Sequence, residues 1–161
     1  MTIEVGDKLP EAELLVMGED GPETVDLSAL IGGRKVVLFG LPGAFTGTCS
    51  TAHLPSFIRT SEAFRAKGVD AIYCLAVNDP FVLAAWSKAT GAGDAGITML
   101  ADPAGALTSS LGMSFTYAPK GFYGRSNRYA VVIEDGVVTC AHLDKPGECS
   151  VSTGESLLEE L

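Results

Sequence analysis

The 161-residue sequence is poor in the residues that build metal ribbons and disulfide scaffolds: it has two histidines, four cysteines and no C-x-x-C pair. That spacing excludes a zinc ribbon and a C-x-x-C dithiol. Four cysteines (Cys49, Cys74, Cys140 and Cys149) are too few to staple a chain of this length, so each is expected to be a resting thiol in a reducing compartment. Positive charge is scarce as well, with 11 Lys and Arg against 20 Asp and Glu and a formal net charge of −9. Such a surface repels phosphate, which argues against nucleic acid and anionic membranes as partners. The longest apolar run, Val36 to Leu41, is broken by Gly40 and stopped by Pro42. It falls far short of the ~20 residues that span a bilayer. Met1 to Pro10 carries acids and no apolar core, unlike a secretory signal peptide. These absences lead to the expectation of a soluble, cytoplasmic protein. With 47% hydrophobic residues, the chain is expected to form one domain over 1–161.

The apolar pattern alternates between strand-like and helix-like segments. Lys35 to Leu41 reads as a buried strand between the Gly32-Gly33 turn and Pro42-Gly43. Cys49 to Lys67 has helical spacing, and Pro55 is expected to kink it by removing a backbone donor. Val69 to Val77 reads as a second strand, and Asp79 to Lys88 as a helix with Asn78 or Asp79 as its cap and Pro80 at its first position. Ile97 to Ala101 is a short strand. Arg128 to Ile133 and Val137 to His142 flank Asp135-Gly136, a hairpin signal. Ser152-Thr153 opens a capped final helix that runs apolar through Leu157, Leu158 and Leu161. The expected class is α/β: a central mixed sheet flanked by helices, with a C-terminal β-hairpin and a final helix, as in a thioredoxin-like fold. Gly91, Gly93 and Gly96 spell G-x-G-x-x-G, but the motif follows a helix and precedes a strand. A dinucleotide site needs the reverse order, so a loop is expected there.

Cys49 stands after a strand, on a loop leading into a helix. Amide N–H groups and the helix dipole favour negative charge at such a position and lower a thiol pKa. From a free pKa near 8.5, only about 3% of a thiol is ionised at pH 7, so a shift of about two units makes thiolate the main species. Thr46, three residues earlier, offers a hydroxyl to sulfur and substrate, and Pro42 stiffens the loop. Position alone is equally compatible with a buried cysteine that only packs. His53, one turn beyond Cys49, makes a Cys–His pair conceivable, whereas a metal site there would need more ligands.

The order Pro42, Thr46, Cys49 resembles the P-x-x-x-T-x-x-C signature of peroxiredoxins, and Pro42 to Phe57 (PGAFTGTCSTAHLPSF) is similar to their type-five subfamily, which includes the plant type II enzymes. Val77 to Trp86 and Asn127 to Val138 resemble the same subfamily in the same order. The resemblance implies reduction of hydrogen peroxide and alkyl hydroperoxides without cofactor or metal, through a homodimer with Phe45, Phe81 or Phe122 as candidate contact residues. It implies that Cys49 is the peroxidatic nucleophile, that Thr46 hydrogen-bonds the peroxide, that Pro42 shields the site, that Arg128 is the active-site arginine and that His53, in a matching H-L-P, is structural and not the base. A guanidinium suits the chemistry, because it never deprotonates and its fixed donors stabilise both thiolate and departing oxygen. One position departs from the family pattern: Gly47 stands where proline usually follows the threonine, which loosens the loop.

The sulfenic acid left on Cys49 must be resolved by a thiol. An external thiol, from glutathione, glutaredoxin or thioredoxin, is the first expectation. Cys149, in a Gly- and Ser-containing segment, is the second and resembles in placement the resolving cysteine of animal type-five members. Cys74, on a strand, is the third and matches a second cysteine of plant type II members. Cys140 is expected to pack. Two rivals remain open: a non-catalytic thioredoxin-fold binding module or chaperone, and a cysteine hydrolase, which needs a histidine base.

Overall fold

The computed structural model describes residues 2–161; Met1 and the side chains of Cys49 and Ser50 lie outside the described residues. The chain opens with a hairpin, β1 (Glu13–Gly18) and β2 (Gly21–Asp26), followed by the short helix α1 (Leu27–Ile31). Then β3 (Lys35–Gly40), a π-helical turn (Cys49–His53) and α2 (Leu54–Ala66) lead to β4 (Ala71–Ala76). Helix α3 (Pro80–Thr90) and β5 (Ile97–Ala101) complete the parallel part of the sheet. After α4 (Ala106–Ser110) come β6 (Ser114–Tyr117) and β7 (Phe122–Ser126), which form a separate two-stranded ribbon. The hairpin β8 (Tyr129–Glu134) and β9 (Val137–Leu143) and the helix α5 (Gly154–Leu158) end the fold.

The main sheet has seven strands in the order β2-β1-β5-β4-β3-β8-β9. Strands β3, β4 and β5 are parallel, and β8 joins β3 antiparallel. This is the mixed, thioredoxin-like sheet expected from the sequence, including its edge hairpin. Apolar runs without polar alternation are explained by coverage of both faces. Val37, Phe39, Cys74, Ala130 and Val132 point to one core with Leu54, Phe57, Phe64, Trp86 and Leu157 of α2, α3 and α5. Val36, Leu38, Tyr73, Val131 and Ile133 point to the other, with Leu27 and Ile31 of α1, Leu107 of α4 and Leu111 just after it.

Two expectations are revised. The helical run expected from Cys49 is present, but it begins as a π-helical turn and becomes α2 at Leu54, so the irregularity lies ahead of Pro55, which stands in the first turn of α2. The β1–β2 hairpin and the β6–β7 ribbon were not read from the sequence, because half-exposed strands such as Gly21–Asp26 lack an apolar alternation. The G-x-G-x-x-G segment is the C-terminal cap of α3 and the turn into β5. Gly91 takes a left-handed φ of 82° there, and its N–H donates to Ser87 O.

Candidate active site

The sheet register brings the expected site residues to one end of the molecule. Gly40, the last residue of β3, lies opposite Tyr129, the first of β8. Pro42 and Thr46 therefore leave the sheet beside Arg128, which directly precedes β8. The end of β4 adds a third strand to this corner: the Asn78 Oδ1 accepts the Ala44 N–H at 2.9 Å. Open α/β sheets place binding sites at this carboxyl edge.

The loop between β3 and α2 is held by side chains from outside it. The Arg125 Nη1 donates to Pro42 O at 2.9 Å, and the same guanidinium lies 5.5 Å from the centre of the Phe122 ring. Gly43 has a φ of 150°, and a Cβ there would collide with the Arg125 Nη1 and press on the Asn78 Oδ1. Phe45 follows with a positive φ of 61°, unusual for a bulky residue and costing about 1–3 kcal/mol. Thr46 donates to Gly43 O at 2.7 Å, so its hydroxyl is oriented within the loop and keeps its oxygen lone pairs as acceptors. Thr51 likewise donates to Gly47 O.

Cys49 opens the π-helical turn, ahead of the 13 residues of α2. Such π-turns recur at functional sites because they redirect side chains within a helical run. Four residues on, His53 is completely buried between the edges of Phe39 and Phe57. Its Nε2 lies 3.0 Å from Ser152 O, and a carbonyl only accepts, so Nε2 carries the proton. Burial, assisted by the charge of Arg128, lowers its pKa to about 3 against the opposing pull of Ser152 O and Asp144. The ring is thus a neutral packing element at physiological pH, in line with the structural role expected of it. A base of that strength is a poor fit to a cysteine hydrolase.

Arg128 is buried, and its Nη1 donates to Glu148 O at 2.8 Å. It directly precedes Tyr129, which lies opposite Gly40 at the end of β3, where the loop toward Cys49 leaves the sheet. Its own carbonyl accepts the Asp144 N–H. Asp144 in turn clasps the segment after it: its carboxylate accepts the N–H groups of Ser150, Val151 and Ser152 and the hydroxyls of Ser150 and Ser152. Burial would raise this carboxyl, but those donors outweigh it and hold the pKa at about 2.

The other cysteines separate by environment. Cys74 is fully buried in the middle of β4, opposite Phe39. Cys149 is half-buried and adjoins Glu148, whose carbonyl holds Arg128. Cys140 is half-buried on β9, where burial and then the charge of Glu160 push its thiol pKa up. Phe45 and Phe81 are exposed at 58% and 64%, whereas Phe122 is half-buried against Phe115 and Arg125.

Sequence reasoning missed Arg125, Asn78 and Asp144. Asn78 was read only as a candidate helix cap. Arg125 stands three residues before Arg128 with no motif to mark it, and the Asp144 contacts are set by a loop with no periodicity.

A thioredoxin-like sheet with a cysteine at the start of a helix and a buried arginine at the same edge defines a thiol-dependent oxidoreductase. The Redoxin family model matches residues 4–158, and the chain belongs to this family as a peroxiredoxin. It is 47% identical to Peroxiredoxin-2E-2, chloroplastic, of Oryza sativa, over 99% of this chain and 73% of the relative. It is 40% identical to Peroxiredoxin-2E, chloroplastic, of Arabidopsis thaliana, over 99% of this chain and 70% of the relative. The solved structure of reduced Prx3 from Vibrio vulnificus in complex with hydrogen peroxide superimposes with a TM-score of 0.92 and 42% identity, covering 99% of each chain. The protein is a thiol-dependent peroxidase with antioxidant function, acting on hydroperoxides with a thiol reductant; a non-catalytic binding module is not favoured. The cytoplasmic location expected from the sequence is corrected by the same relatives, since two of them are named chloroplastic. Charge and leader composition do not discriminate between such compartments.

Proposed function

We propose that Cys49 is the peroxidatic nucleophile, served by Thr46, Pro42 and Arg128, within one catalytic domain spanning 1–161. The observation that carries this reading is the convergence of the Pro42–Thr46 loop, the turn starting at Cys49 and the Arg128 guanidinium at one sheet edge. Amides at the start of the helical run and the nearby guanidinium favour the thiolate. The thiolate attacks one peroxide oxygen, the O–O bond breaks, and the second oxygen leaves as alkoxide or hydroxide and takes a proton. Sulfur becomes a sulfenic acid as the peroxide is reduced. Arg128 stabilises the charge as it moves from sulfur to the leaving oxygen. Thr46, whose O–H is committed to Gly43 O, accepts a hydrogen bond from the bound peroxide, and Pro42 limits water on one side.

A thiol then attacks the sulfenic sulfur and expels water, giving a disulfide, and a second thiol releases Cys49. We assign the reducing equivalents to an external thiol, from glutathione with glutaredoxin or from thioredoxin. Of the internal cysteines, Cys149 is the one suited to intervene, because it borders the carbonyl that holds Arg128. Cys74 would have to leave the centre of the sheet. Exposed Phe45 and Phe81 beside the site favour a homodimer through this face.

Stopped-flow consumption of hydrogen peroxide tests the reading. Cys49→Ser abolishes it, and Thr46→Val and Arg128→Lys each slow it by about tenfold or more, the worth of a charge-assisted or buried hydrogen bond. Full turnover with glutaredoxin in a protein lacking Cys74, Cys140 and Cys149 identifies the external thiol. Loss of turnover there, with a 2 Da mass decrease in the peroxide-treated wild type, assigns resolution to an internal disulfide.

A further inference from the structure

We propose that Cys140, His142 and Glu160 form a binding site for a borderline divalent cation of the zinc type, on the sheet edge and separate from the peroxide site. Cys140 and His142 are two apart on β9, so both side chains leave the same face of this edge strand. The C-terminal segment after α5 brings Glu160 over them. One ligand atom from each residue, a sulfur, an imidazole nitrogen and a carboxylate oxygen, lies within 4.8 Å of the other two. Donors around a four-coordinate zinc are about 3.3–3.6 Å apart, from Zn–S of about 2.3 Å and Zn–N or Zn–O of about 2.0–2.2 Å. The excess is at most about 1.2–1.5 Å, within the reach of a rotamer change at Cys140 or at the exposed Glu160.

The imidazole is already oriented for this task. The His142 Nδ1 lies 2.6 Å from Val151 O. A carbonyl only accepts, so Nδ1 carries the proton and the neutral ring leaves its lone pair on Nε2. Nε2 is the atom that faces Glu160, at 3.7 Å from its Oε1. A backbone carbonyl on the remote ring nitrogen is the arrangement that fixes tautomer and orientation in metal-bound histidines. The donor set of thiolate, imidazole and carboxylate suits zinc and disfavours calcium or magnesium, which take oxygen ligands. Water supplies the fourth ligand. On binding, the Cys140 thiol releases its proton to solvent and the new bond is Sγ–metal; no oxidation occurs.

The cation ties the C-terminal segment to β9. Through His142 and Val151 it also steadies the loop that runs from Asp144 past Cys149. Cys140, held as a metal thiolate, is then kept apart from peroxide chemistry.

The test uses the full chain, reduced and stripped with a chelator, then titrated with cobalt(II) as the spectroscopic probe. A variant carrying Cys49→Ser and Cys149→Ser removes the other candidate thiolates. That variant should bind one equivalent, with a thiolate-to-cobalt charge-transfer band and the intense visible bands of tetrahedral cobalt, and zinc should bleach both. Cys140→Ser should abolish the charge-transfer band. His142→Gln and Glu160→Gln should each weaken zinc at least tenfold in competition with a chromophoric chelator. Glu160 is exposed, so its variant keeps the fold, and wild-type peroxide reduction by Glu160→Gln and Cys140→Ser verifies that they are folded. The proposal is overturned if the double variant shows no charge-transfer band, or if the band persists in Cys140→Ser.

Discussion

Acid should unfold this protein through His53, and the effect is large enough to isolate. The folded-state pKa lies at about 3 against 6.5 for the free ring, so between those values the unfolded chain binds a proton that the native state refuses. The stability due to the neutral buried ring is complete above pH 6.5 and is lost as pH falls toward 3. Linkage at about 1.4 kcal/mol per unit gives a loss of about 2 kcal/mol between pH 7 and pH 5, and roughly 4–5 kcal/mol by pH 3. His53→Gln removes the titration while leaving an amide N–H for Ser152 O. It forfeits the ring edges against Phe39 and Phe57, about 1–2 kcal/mol at pH 7. Urea unfolding under reducing conditions, followed by the fluorescence of Trp86, should show the gap between wild type and variant shrinking by about 2 kcal/mol from pH 7 to pH 5. Parallel stability curves across that range would refute the reasoning. Because the ring does not titrate near neutrality, peroxide reduction should also show no inflection at pH 6.5 that His53→Gln removes.

Asp144→Ala strips five hydrogen-bond donors of their acceptor and should cost about 3 kcal/mol in urea unfolding, with slower peroxide reduction as the segment holding Arg128 loosens. Its carboxylate, at about 2 when folded, contributes stability present above about pH 4 and lost as pH falls toward 2. Gly43→Ala drives a methyl group against Arg125 and Asn78 and should lower the second-order rate with peroxide by roughly tenfold, consistent with a positioning loss. Tyr129→Phe removes a buried hydroxyl that has no hydrogen-bond partner among the described residues, and thermal melting should show unchanged or higher stability, by up to about 1 kcal/mol. Glu155→Gln breaks the ion pair with Arg59, which is exposed on both sides, and should change stability by less than about 1 kcal/mol.

The sheet and the helices on it were readable from the chain because each carries its own period. The runs 36–40, 71–76 and 129–133 are apolar throughout, a property of strands covered on both faces. Asp135-Gly136 encodes its own turn, with Asp135 at a φ of 46° and Gly136 at 80°. Pro42, Thr46 and Cys49 sit within eight residues of one another and were legible as a local motif. Arg128 was legible only through the resemblance, because its partner Glu148 is 20 residues away.

Tertiary structure alone decided the rest. Arg125 reaches Pro42 across 83 residues, and Asn78 reaches Ala44 across 34. No local pattern encodes those pairings, since strand order and register create them when the sheet closes. The same holds for His142, Cys140 and Glu160. Period two on β9 aligns the first two, but only the docking of α5 on α2, where Gly154 lets the backbones approach so closely that a Cβ would strike Ser56 O and Thr60 Oγ1, carries the third over them. What the chain determined by itself is what short-range sterics and burial periodicity can express. What the fold added are contacts between distant segments, which depend on how the whole core packs.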